Sequence, residues 1–163
     1  MFQRLIAMRR LKRDPHLGLR AISSALHNEP DIVLAALSGR PEDLLFAPDE
    51  LTHDLSFVKQ LLARRPDAYR FINEAFKSNK ECCLLAISQS NPENLRQVPY
   101  ELLDDQEVIV AAIKAETRSL WAPNRSLAME LAGPSVKSNA LVQSIYAEEL
   151  IHRKSIQESM SLR

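Results

Sequence analysis

Apolar residues recur along the chain in pairs one helical turn apart. Ile32/Val33 is followed by Ala36/Leu37, Phe57/Val58 by Leu61/Leu62, Cys82/Cys83 by Ala86/Ile87, and Val108/Ile109 by Ala112/Ile113. This i, i+1, i+4, i+5 spacing places each quartet on one stripe of a helix and predicts a helix with one buried face at each site. The quartets start 25, 25 and 26 residues apart. A fixed period of that length is the signature of a repeat architecture.

A second register runs in step with the first. Leu44 and Leu51, Tyr69 and Phe76, Leu95 and Leu102, and Leu120 and Leu127 are each seven residues apart, and Asn91 accounts for the one additional residue. Pro41, Pro66 and Pro92 open the second element of three units, at a position where a proline gives up no helical hydrogen bond. Each unit therefore reads as a helix, a proline-started short helix and a connecting turn. One such unit cannot bury its stripe alone, so neighbours are expected to stack. Ala36, Ala86 and Ala112 share a column that lets helices approach closely.

The predicted fold class is all-α: a short right-handed-type α-solenoid of about four 25-residue helical-hairpin repeats with irregular end caps. The chain reads as one helical-repeat domain over 1–163, with a basic amino-terminal cap at 1–28, four repeats at 29–127 and a carboxy-terminal helical cap at 128–163. Asp14 to Ile22 copies the first-helix motif only 15 residues before Glu29, which predicts a truncated or irregular first unit. Gly133 and Pro134 stop one segment. Val136 to about Met160 then reads as a longer helix with Leu141, Val142, Ile145, Tyr146, Leu150 and Ile151 as its apolar positions.

Composition agrees with helices. At 163 residues and 45% hydrophobic content the chain has enough apolar material for a core, and three glycines with 6% aromatics favour helix over sheet. Basic and acidic residues balance at 21 each, but unevenly: residues 1–28 carry a net +5, 29–116 a net −7 and 117–163 a net +2. No apolar run approaches the roughly 20 residues that span a bilayer, and the opening lacks a signal peptide's apolar stretch. Export by the general route is not expected. The first 13 residues hold five basic and no acidic side chains, with Phe2, Leu5, Ile6 and Met8 at near-helical spacing. That pattern admits a membrane-surface or organelle-targeting helix, and reads first as an end helix with a solvated basic face.

On these residues the chain resembles the bacterial repeat family called domain of unknown function 4116. That family's repeat runs from an acidic start through an apolar Ala-Val or Ala-Ile segment to a Leu-x-x-Ala-type turn and a further Leu. Asp105 to Ile113 and Leu44 to Leu51 match it best, Tyr69 to Asn73 departs from it, and the resemblance spans roughly residues 29 to 127. It implies a helical repeat of unassigned activity, found in bacterial proteins that include candidate secreted effectors of intracellular bacteria. The implied locations are the cytoplasm of the producing cell or, through a specialised secretion system, a host cell. No catalytic residue carries over.

Chemical candidates are few. Cys82 and Cys83 share columns with Ile32/Val33, Phe57/Val58 and Val108/Ile109, so they read as small core residues. His16, His27, His53 and His152 are scattered without metal-ligand spacing, and the single Glu149/His152 pair is one half of a di-iron element that needs two. Acidic pairs such as Glu42/Asp43, Asp49/Glu50 and Asp104/Asp105 fall at helix starts, where they complement the helix dipole. No phosphate-binding glycine loop or nucleophile elbow occurs. No cofactor and no metal are expected.

Two aromatics stand in polar columns: Trp121 with Leu45, Arg70 and Arg96, and Tyr100 with Asp49, Glu74 and Arg125. Large aromatics at solvent-facing columns are candidate binding anchors, so Arg96, Tyr100 and Trp121 form the candidate partner-binding patch. The expected function is a non-enzymatic protein–protein interaction module with a protein partner, of the secreted-effector or regulatory-adaptor kind. The competing reading is nucleic-acid binding through Arg4, Arg9, Arg10, Lys12, Arg13 and Arg20. The acidic middle would repel a duplex laid along the repeats. An enzyme of unfamiliar spacing is the third reading.

Overall fold

A computed structural model describes residues 2–14, 16–87, 92–118 and 126–161. Every regular element among the described residues is an α-helix or a 3-10 helix, with no strand among them. The chain divides into two compact units, Met1–Ala86 and Ile87–Arg163.

The first unit opens with α1 (Phe2–Arg13), followed by short 3-10 helices at Leu19–Ala21 and Ser24–Leu26. Next come α2 (Pro30–Gly39), a 3-10 helix at Pro41–Phe46 and the one-turn α3 (Asp49–Thr52). The same order recurs in α4 (Leu55–Arg64), a 3-10 helix at Pro66–Phe71 and the one-turn α5 (Glu74–Lys77), before α6 (Lys80–Ile87). The apolar stripes are buried as their spacing requires: Ile32, Val33, Ala36 and Leu37 on α2, Phe57, Val58, Leu61 and Leu62 on α4, and Cys82, Cys83 and Ala86 on α6. α2 packs against both α1 and α4.

The proline-started element is a 3-10 helix rather than an α-helix, and the expected turn is itself one turn of α-helix. Proline excludes the α region for the residue before it, and Arg40 (φ −136°, ψ 82°) and Arg65 (φ −138°, ψ 82°) break the preceding helix in almost the same conformation. Each breaking residue is fastened from its own side chain. Arg40 Nε donates to Glu42 at 3.2 Å, and Arg65 donates to both Asp67 oxygens at 3.0 and 2.7 Å while also reaching the Ser38 carbonyl on α2. Three residues per turn then puts Pro41 and Leu44 on one buried edge. Tyr69, at the position of Leu44, is fully buried and donates its hydroxyl to the Lys77 carbonyl at 2.8 Å.

Residues 14–22 do not form the first-helix copy that their sequence suggests. Leu19 and Leu26 instead occupy the positions of Leu44 and Leu51, 25 residues earlier, and α1 stands where α2 stands in the next step. Gly18 is the reason the chain can turn there. A Cβ on it would lie 2.0 Å from Asp43 Oδ2, so only glycine allows this approach to the buried carboxylate.

The second unit contains a 3-10 helix at Pro92–Gln97, α7 (Tyr100–Leu103), α8 (Gln106–Arg118), α9 (Leu127–Leu131), α10 (Pro134–Lys137) and α11 (Ala140–Ser161). The long helix starts at Ala140 and not at Val136, because Asn139 caps it: its Oδ1 accepts from Leu141 N at 3.0 Å and Val142 N at 3.2 Å. Asp105 caps α8 in the same way, as Asn79 caps α6 and Asp54 caps α4. Of the apolar positions expected on the long helix only Val142 is buried, while Leu141 and Ile151 are exposed. Asp104 joins α7 to α10, accepting from Val136 N at 3.1 Å, and Gly133 N donates to the Leu103 carbonyl at 2.8 Å. Hydrogen bonds from the Ser135 hydroxyl, the largest contribution, and from the Val136 and Ser135 amides hold the Asp104 carboxyl below its usual range.

Candidate interaction surface

Within each proline-started 3-10 helix the fourth residue points inward and the fifth points out. Leu44 and Tyr69 are buried, whereas Leu45 is 71% exposed and Arg70 is exposed. In the first unit the 3-10 helices at Leu19–Ala21, Pro41–Phe46 and Pro66–Phe71 pack side by side, so their outer residues form one ridge. The Arg20 guanidinium lies over the Phe46 ring at 4.8 Å and that of Arg70 over the Phe71 ring at 5.8 Å. Such stacking holds a cation and an aromatic face in a fixed, partly exposed arrangement, each contact worth about 0.5–1 kcal/mol at an exposed site. The ridge offers charge, flat apolar area and little conformational freedom together.

The residues singled out from sequence fall in several places. Arg96 is exposed at the fifth position of its 3-10 helix, and its Nε is held by Glu93 at 2.8 Å. Tyr100 is 63% exposed at the first residue of α7, with Pro99 starting a new turn between the two. Trp121, the third member of that patch, lies outside the described residues. The six basic residues have three different surroundings. Arg4 is paired with Asp31 at 2.7 Å and Glu29 at 3.8 Å on α2, Arg20 stacks on Phe46, and Arg9, Arg10, Lys12 and Arg13 are exposed on α1.

Reactive groups are used internally. Cys82 and Cys83 are fully buried and form no disulfide, and burial pushes the Cys82 thiol above its usual range, away from the nucleophilic thiolate. Burial, with the neighbouring Cys83, likewise raises the Tyr69 phenol far above its ordinary value. His27 Nε2 lies 3.2 Å from the carbonyls of both Leu19 and Ile22. His53 Nδ1 lies 2.9 Å from the Asp49 carbonyl and its Nε2 lies 3.1 Å from Asn73 Nδ2. Among the described residues no three metal-ligating side chains converge.

One group of titratable residues does converge, in the second unit. Glu116 from α8 meets Ser126, Tyr146, Glu149 and Arg153 around a cavity of about 10 Å³. Burial raises the Glu116 carboxyl above its usual range, opposed by bonds from Ser126 and the Ala128 backbone. Its Oε1 accepts from Ala128 N at 2.7 Å, and Ser126 Oγ accepts from Met129 N at 3.1 Å. The space is about that of one water molecule, so the cluster ties α8 to the start of α9 rather than forming a substrate site. His152 is exposed and does not join Glu149 there.

Fold and surface together define an all-α chain with a recurring helix, 3-10 helix and one-turn-helix order and an outward ridge of cations and aromatics. Residues 29–77 match the family model described as Domain of unknown function (DUF4116). The matched span includes Tyr69 to Asn73, the segment that departs from the repeat pattern by eye, and it stops short of Asp105 to Ile113. No curated protein and no solved structure matches the chain. No helix among the described residues is long and apolar enough to cross a membrane.

Proposed function

We propose that the chain is a non-enzymatic protein-interaction module of the α-solenoid class, with its 25-residue steps serving as repeated platforms for a protein partner. The observation that carries this reading is the ridge of Arg20, Leu45, Phe46, Arg70 and Phe71 on adjacent 3-10 helices. Exposed aromatics and arginines are the residue types that dominate binding energy at protein interfaces. Arg96 and Tyr100 extend the same class of exposed position into the second unit, with Trp121 at the equivalent column of the sequence. A secreted effector or regulatory adaptor is the kind of protein that such a module suits.

The test is site-specific photo-crosslinking from position 45 in cell lysates, with Gln60 on α4 as the exposed control. The expected result is a discrete protein product from position 45 alone. With that partner purified, Phe46→Ala or Arg70→Ala should weaken binding by about 1–2 kcal/mol while the fold is retained. Identical products from both positions, or a purified pair whose affinity ignores both substitutions, would reject the reading.

A further inference from the structure

We propose that the exposed face of α1 docks onto an anionic lipid bilayer surface. Two features fix which face of this helix looks outward. Ala7 and Leu11 are buried, and Arg4 is clamped to Asp31 and Glu29 on α2, so the opposite side of the helix is turned to solvent. At about 100° per residue that outer side carries Phe2, Leu5, Ile6, Arg9, Lys12 and Arg13. Phe2 is 76% exposed, Leu5 50% and Ile6 43%, which is unusual for three large apolar side chains within five residues.

Arg9, Lys12 and Arg13 sit at the other end of the same face, and Arg10 flanks it. Arg9, Arg10, Lys12 and Arg13 are exposed, and among the described residues they pair with no carboxylate. Their charge complements an anionic surface, and α1 itself holds no acidic residue to weaken it. The first turn can enter the boundary between headgroups and acyl chains while the last two turns remain among the headgroups. Nucleic acid would use the cations and leave the three apolar side chains in water. A second copy would bring two faces of the same sign together.

The test uses the full chain in co-sedimentation with vesicles of phosphatidylcholine alone and of phosphatidylcholine containing about 30 mol% phosphatidylserine. Partitioning should be at least about tenfold stronger on the anionic vesicles and should fall as salt is raised. It should drop by at least about tenfold in Phe2→Ser/Leu5→Ser/Ile6→Ser and in Arg9→Gln/Arg10→Gln/Lys12→Gln/Arg13→Gln. Thermal unfolding of each variant reports whether the fold is intact, and where the triple variant melts early the single Phe2→Ser replaces it. Arg64→Gln, at the exposed end of α4, should leave partitioning unchanged. Absence of vesicle binding, or equal binding to both compositions, overturns the proposal. So does oligonucleotide binding or dimer formation through these residues without vesicle binding.

Discussion

Gly18 and Asp43 approach so closely that a Cβ on residue 18 would stand 2.0 Å from Asp43 Oδ2 and 2.9 Å from the Arg40 side chain. Asp43 is 2% exposed and cannot swing away without opening the junction between the Leu19–Ala21 and Pro41–Phe46 3-10 helices. Gly18→Ala should therefore destabilise the fold by about 1–3 kcal/mol in urea titration. The same substitution made in an Asp43→Ala background should cost much less, because the obstructing carboxylate is gone. Equal costs in the two backgrounds would show that the contact is not the cause.

Glu116 should divide two kinds of substitution. Glu116→Ala leaves the Ala128 amide at the start of α9 without its acceptor and should cost about 1–3 kcal/mol. Glu116→Gln keeps an acceptor oxygen without the charge and should be near neutral at low pH, where the wild-type carboxyl is protonated. Burial raises the folded-state pKa of Glu116, so its contribution is fully present below the unfolded value of about 4.3 and is lost as pH rises through the folded value. Urea midpoints of the wild type and Glu116→Gln should diverge across that window in favour of the glutamine variant.

The Arg65–Asp67 pair should act with the opposite sign. The hydrogen bonds from Arg65 hold the Asp67 carboxyl below its usual range. Its contribution is present above about pH 4 and is lost as pH falls through the lowered folded value. Asp67→Asn should flatten part of the acid limb of the stability profile. Both partners are partly solvated, so the effect at neutral pH should stay within about 1 kcal/mol.

The buried thiols and the Tyr69 hydroxyl belong to one packed region. Cys82 and Cys83 should resist maleimide in the native protein and react in denaturant, and their joint replacement by Ala should cost about 1–3 kcal/mol. Tyr69→Phe removes the hydroxyl that bonds the Lys77 carbonyl and should cost about 0.5–1.5 kcal/mol. Rapid labelling of either thiol under native conditions would contradict the packing described for α6.

The repeat spacing carried a large share of the fold. A quartet such as Ile32, Val33, Ala36 and Leu37 becomes one stripe through helical geometry alone, and its burial follows from apolar character. The burial of Cys82 and Cys83 was legible for the same reason, since other units place aliphatic or aromatic residues in their columns. So was the exposure of Arg96 and Tyr100, whose columns carry charge in other units. Arg20 lies 25 residues before Leu45, and extending the period one step towards the amino terminus would have found the start of the ridge.

Sequence alone thus determined the helical period, the buried stripes and the polar outer columns, because each depends on residues within a turn or two of one another. The 3-10 geometry after Pro41 and Pro66, the junction of Gly18 with Asp43, the Glu116 cap on α9 and the stacking of Arg20 on Phe46 were decided by tertiary structure. A side chain's spacing in the chain says which face it takes. It does not say which distant backbone amide or ring that face will meet, and burial makes those meetings specific because a buried polar group must find its partner there.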